Sequence, residues 1–213
     1  MSGILDLLNS DLGKTIISGV SGQTNQPQNK TQDVLTMALP VLMAAMKRNA
    51  ATPQGAEGLM GALNNNKHNG SILDNLDGLF NGGVNDEVIN DGSKILGHVL
   101  GNKQHNIENT LGAKAGMDAG SVAQILKIAA PILMGMLGKQ TRQQHVNSSS
   151  GIESLLGGLL GGNSAKQEQS FLESILDADG DGSAIDDVAN MVLGSSKKQS
   201  GLGGLLGGLF GGK

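Results

Sequence analysis

A proline-centred apolar block occurs twice in this chain, as Leu39-Pro40-Val41-Leu42-Met43 and as Ala130-Pro131-Ile132-Leu133-Met134. The match extends outwards, with Val34-Leu35 on Ile125-Leu126 and Met37-Ala38 on Ile128-Ala129. Upstream, Ile16-Ile17-Ser18-Gly19-Val20-Ser21-Gly22 resembles Ile95-Leu96-Gly97-His98-Val99-Leu100-Gly101. The second copy carries an extra stretch around 103–114. A duplicated chain must satisfy the same packing rules in both copies. Two related units are therefore expected, over residues 1–66 and 70–142.

The periodicity within each copy is helical. Val34, Met37, Leu42 and Met46, and likewise Val122, Ile125, Leu133 and Leu137, recur at helix rather than strand spacing. Pro40 and Pro131 fall inside these helices, and each removes a backbone donor, so the spacing predicts a kinked or divided helix at both places. Ser121 with Gln124 has capping-box spacing and predicts a helix start. Thr52-Pro53 predicts a start for another helix through Met60 and Leu63. Polar linkers are expected over 23–30, 141–150 and 195–201.

A shorter apolar element recurs after Ser/Gly pairs: Ile4-Leu5-Asp6-Leu7-Leu8, Ile72-Leu73-Asp74-Asn75-Leu76, the set Ile152, Leu155, Leu156, Leu159, Leu160, and the set Leu202, Leu205, Leu206, Leu209, Phe210. The last two sets make one helical stripe backed almost entirely by glycine. Glycine costs about 1 kcal/mol per helical position relative to alanine. Such segments should be helical only when the leucine stripe is docked.

Composition supports an all-α chain. Tyr, Trp and Cys are absent and there are three Phe and nine Met, so the core must come from Leu, Ile, Val, Ala and Met. Strands call for more β-branched and aromatic residues. The expected architecture is two related multi-helix units with proline-kinked helices, then a short Leu/Gly helix and a helix–acidic loop–helix over 150–197, then a Gly/Leu tail over 201–213. Met43, Met46, Met134 and Met136 are read as core filler.

Without cysteine there are no disulfides, thiolate metal sites or thiol nucleophiles. A net charge of −4 gives no broad attraction to phosphate backbones, so nucleic-acid binding is not expected. The amino terminus, Met1-Ser2-Gly3-Ile4-Leu5-Asp6, has no basic region followed by an apolar run, so it does not read as a secretory signal. The stretch Met37–Met46 falls short of the roughly 20 residues a bilayer crossing needs. A cytoplasmic protein without a transmembrane segment is expected. The Gly/Leu tail reads as an intramolecular flap over its own core, as an association peptide that docks on another molecule, or as a helix in contact with a membrane surface, although its polar face lacks Lys and Arg.

Ligand chemistry concentrates in one place. Asp177-Ala178-Asp179-Gly180-Asp181-Gly182-Ser183-Ala184-Ile185-Asp186-Asp187 opens as an EF-hand or dockerin-like loop does. Carboxylates at alternate positions, Asp177, Asp179 and Asp181, can converge on one hard cation, and Gly182 permits the turn. Ser183 would offer its backbone carbonyl. Position 12 of such a loop takes a bidentate Glu and here holds Val188, so a shortened loop closed by Asp186 or Asp187 is the form expected to bind calcium. The competing reading is an Asp/Gly turn, with Asp181 or Ser183 capping the next helix.

The four histidines, His68, His98, His105 and His145, lack paired metal spacing and are expected on the surface or in loops. No Gly-x-Ser-x-Gly elbow or phosphate-binding Gly-rich loop is present. An enzyme is accordingly not expected.

Taken in order, Gly3-Ile4-Leu5-Asp6-Leu7-Leu8, Ala38-Leu39-Pro40-Val41-Leu42, Ala56-Glu57-Gly58-Leu59, Asp91-Gly92-Ser93-Lys94-Ile95-Leu96-Gly97 and Ala130-Pro131-Ile132-Leu133 make residues 1–140 resemble the bacterial YidB-like domain of unknown function, family nine-three-seven. The resemblance implies an all-helical, homeodomain-like arrangement and brings no catalytic residues. Members often carry an acidic Asp-Gly-Asp-Gly-Ser stretch near the carboxyl end, as this chain does at 179–183. A DNA-binding role is a lower-ranked alternative, set back by the acidic charge. The functional expectation is a structural or interaction protein that assembles through its Leu/Gly segments, with itself or with another protein. A calcium-responsive binding module is the alternative.

Overall fold

The computed structural model describes residues 4–160. Every regular element among them is helical: α1 (Ile4–Asn9), α2 (Asp11–Thr24), α3 (Gln28–Ala50), α4 (Pro53–Asn64), α5 (Ser71–Asp74), α6 (Leu76–Phe80), α7 (Asp86–Leu100), α8 (Gln104–Ala115), α9 (Ala119–Gln143) and α10 (Ser149–Leu160). Short 3-10 turns at Asn66–His68 and Gly101–Lys103 complete the path. The fold is all-α, as the composition and periodicity imply.

Local chemistry accounts for the starts. Ser10, Thr52, Asn85 and Asp118 each sit in extended backbone and accept a hydrogen bond from the amide three residues on. Each thereby satisfies one of the donors that a helix start leaves without a partner. Thr52-Pro53 opens α4 as its sequence implies. The capping-box reading at Ser121 is corrected: the cap is Asp118, whose carboxylate takes both the amide and the hydroxyl of Ser121, and α9 begins at Ala119. The extra stretch of the second copy is largely α8.

α3 and α9 each run unbroken through their proline. Of the two outcomes expected, a kink or a division, division does not occur. Pro40 and Pro131 are themselves buried, and apolar neighbours on both sides hold each helix together across the missing donor. The duplication extends to burial. Every buried position of α3, from Thr31 through Pro40 to Ala50, has a buried counterpart in α9, from Val122 through Pro131 to Thr141. α9 additionally buries Ile128, Gly135 and Gly138, whose counterparts Met37, Ala44 and Lys47 are half-buried or exposed. It is the more central helix, with α2, α3, α4, α5, α7 and α8 all packed against it.

Gly92 explains how closely α7 lies on α9, because any Cβ there would overlap the Lys127 carbonyl. The buried side chains of both copies belong to one hydrophobic core. Met43, Met46, Met134 and Met136 lie within it, as core filler should. Two polar linkers are shorter than their composition implies: α2 runs to Thr24 and α3 starts at Gln28, while α9 continues to Gln143 and α10 begins at Ser149. Thr24 and Thr141 extend these helix ends by bonding their hydroxyls to carbonyls one turn back.

Candidate interaction surface

α10 is the first of the two glycine-backed leucine stripes, and its docking is visible. It packs on α3 and α4. Ile152, Leu155, Leu156 and Leu159 are all buried, and Ile152 and Leu156 are fully so. Burying a side chain of this size contributes about 1.5–3 kcal/mol. Four of them outweigh the glycine cost of about 1 kcal/mol per position. The helix is therefore made by its seat. Gly157 lies against the exposed Lys47 of α3, with 3.7 Å between Lys47 Nζ and the place a Cβ would take.

A small apolar cavity lies elsewhere. Ile4, Leu7 and Leu8 of α1, Leu73 of α5, and Ile132 and Met136 of α9 border it, and its volume is about 20 Å³. Its remaining lining, which includes Leu35 and Leu39 of α3, is also aliphatic. Leu7 and Leu73 are half-buried and form its outer rim.

Polar chemistry gathers instead at the connector between α4 and α5. His68 is 6% exposed and stands between two oxygens, with Nδ1 2.8 Å from the Ala62 carbonyl and Nε2 2.9 Å from Asp91 Oδ2 on α7. Arg142 of α9 donates to the carbonyls of Asn64, Asn65 and His68. Lys67 pairs with Glu87 at 2.7 Å, and Lys139 with Asp74 at 2.9 Å. The Lys67 hydrogen bond and charge hold the Glu87 carboxyl below its ordinary range, and Glu87 raises Lys67 in return. Both groups are solvent-exposed, so the pair adds little stability. His68 thus lies in a connector, as a loop histidine, but it is buried and paired with an acid rather than solvated. Its acid is 23 residues away in sequence, and no local spacing signals it.

The residues singled out as cation ligands, Asp177, Asp179, Asp181, Ser183, Asp186 and Asp187, lie outside the described residues. So do the linker at 195–201 and the tail at 201–213. Among the described residues no group of three or more His, Asp or Glu side chains is placed to hold a metal ion.

A family model for a bacterial protein of unknown function, DUF937, matches residues 6–140. This chain belongs to the DUF937 family. No curated protein and no solved structure matches it. The DUF937 match covers α2 to α8 completely and nearly all of α9, and it ends before α10. In this DUF937 protein the Leu/Gly helix therefore packs onto the family region from outside the matched span. α9 is also the one described helix long and apolar enough to cross a membrane, yet 72% of its apolar window is buried inside the fold. A mostly buried core helix passes the same test, and by length and composition α9, not the 37–46 segment, is the most membrane-like stretch among the described residues.

Proposed function

We propose that this protein is a non-enzymatic interaction protein that self-assembles, the Leu/Gly tail of one copy docking on another. The observation that carries this reading is the seat of α10. A glycine-backed stripe of Ile152, Leu155, Leu156 and Leu159 is helical because it is docked. The tail repeats that stripe as Leu202, Leu205, Leu206 and Leu209, with Phe210 in place of Leu160. A chain with two such segments and one such seat has a stripe to spare.

The spare copy does not win the seat that α10 holds. It has Gly203 and Gly204 where α10 has Glu153 and Ser154, a handicap of about 1 kcal/mol per position. α10 is also tethered to α9 by only the short link 144–148, which keeps its local concentration high. The half-buried Leu7 and Leu73, beside Met136, offer leucine and phenylalanine side chains an apolar contact on another copy. Such a tail-to-body contact is head-to-tail, so it propagates into rings or filaments.

Calcium enters this reading as a stabiliser. The acidic loop at 177–187 separates α10 from the tail, and a cation there would order the tether that presents the tail. The calcium-responsive binding module is the second reading and rests on the same carboxylates.

The test is the mass in solution of the full chain and of a chain lacking residues 201–213, over a range of concentrations. The full chain should form larger species as concentration rises, and the shortened chain should not. An unchanged oligomeric state removes the proposal.

A further inference from the structure

The geometry points to a buried proton-holding site at His68 and Asp91, which latches the connector between α4 and α5 onto α7 and α9. A neutral imidazole has one N–H and one lone pair. Here both ring nitrogens face oxygens at hydrogen-bond distance. The Ala62 carbonyl can only accept, so Nδ1 must carry a hydrogen. An ionised Asp91 can also only accept, so Nε2 must carry one as well. Both contacts are made only when the pair holds one proton more than a neutral imidazole beside a carboxylate. That proton sits on Nε2, giving an imidazolium–carboxylate pair, or on Asp91, which then donates to Nε2. Without it, a lone pair on a buried ring faces an oxygen at 2.8 or 2.9 Å, and one of the two contacts must open.

The surroundings make this a latch. The charged groups at the site are Asp91 and Glu87 from α7, Lys67 beside His68, and Arg142 and Lys139 from α9, with Asp74 from α5 pairing Lys139. α4 contributes the Ala62 carbonyl to His68 and the Asn64 carbonyl to Arg142. The His68 carbonyl lies so close to Gly138 of α9 that a Cβ there would overlap it. The connector is thus seated on α9 by backbone contact and tied to α7 by the proton. The site does not depend on the proposed tail docking.

Nitrogen-15 NMR of the histidine rings in the full-length protein at neutral pH is the direct test. A His68 ring with hydrogens on both nitrogens supports the site. So does one with hydrogen on Nδ1 and with Nε2 accepting from a protonated Asp91. A His68 ring whose Nδ1 bears no hydrogen, or whose Nε2 neither carries nor accepts one, overturns it. A second measurement compares urea midpoints at neutral pH for wild type, His68→Gln, Asp91→Asn and the double variant. The two single losses should not add, because each variant breaks the same contact. Additive losses also overturn the proposal. Both readouts are independent of the tail, so its failure to dock would leave them unchanged.

Discussion

Thr31 and Val122 occupy the same position in the two copies of the long helix, and both side chains are fully buried. Val122 meets its surroundings with two methyl groups. Thr31 puts a hydroxyl in the same kind of site, and that hydroxyl finds no hydrogen-bond partner among the described residues. A buried hydroxyl without a partner costs about 1–3 kcal/mol. Thr31→Val keeps the shape and removes the cost. It should raise stability by about 1–2 kcal/mol, read as a higher urea midpoint at unchanged slope. A lower midpoint would show that the hydroxyl is satisfied in solution.

Glycine in helices should separate into two classes. A Cβ at Gly138 would overlap the His68 carbonyl, which is backbone and cannot swing aside. Gly138→Ala is expected to cost about 1–3 kcal/mol through forced displacement of the connector. Gly97, inside α7, has nothing within 4 Å of its Cβ position. Gly97→Ala should therefore stabilise, by up to about 1 kcal/mol, through helix propensity alone. Thermal unfolding of both variants checks the pair, and equal effects of the same sign would contradict the close approach.

The α9 start gives an acid-side dependence. The hydrogen bonds from the Ser121 hydroxyl and amide hold the Asp118 carboxyl below the ordinary aspartate range. A depressed folded-state value contributes stability that is present above the unfolded-state value and lost as pH falls through the folded one. Asp118→Asn keeps a capping oxygen but cannot ionise. Its stability deficit against wild type should be present at neutral pH and shrink as the solution is made strongly acidic. A deficit independent of pH would rule out the charge as its source.

Calcium should bind to residues 177–187 with an affinity weaker than a closed EF-hand loop gives, because the bidentate Glu is missing. Titration calorimetry on the full chain should give heat that Asp179→Ala with Asp181→Ala abolishes. Silence up to millimolar calcium would leave the capped-turn reading in its place.

Much of this fold is readable along the chain because its cause is local or periodic. The apolar spacing of Val34 to Met46 and its copy at 122–137 places the two long helices, and Thr52-Pro53 places α4. The stripe of Ile152, Leu155, Leu156 and Leu159 identifies the buried face of α10 before any partner is known. These signals survive because a helix's burying face repeats every turn, wherever its partner lies. The cap of α9 lies three residues before the Ser121 start that the spacing predicts, because Asp118 and Ser121 both carry capping chemistry and local sequence does not choose between them.

What only tertiary structure decided depends on distant pairs. That Pro40 and Pro131 leave their helices whole follows from packing on both sides, which a backbone rule does not contain. His68 became a buried partner of Asp91 because α7 and α9 trap the connector between them, and neither residue has a neighbour in sequence that foretells it. The placing of α1, α5 and α9 around a small apolar cavity is likewise a property of the assembled helices. Periodicity states which face a helix must hide, whereas the shape of the packed whole determines what hides it and what stays uncovered.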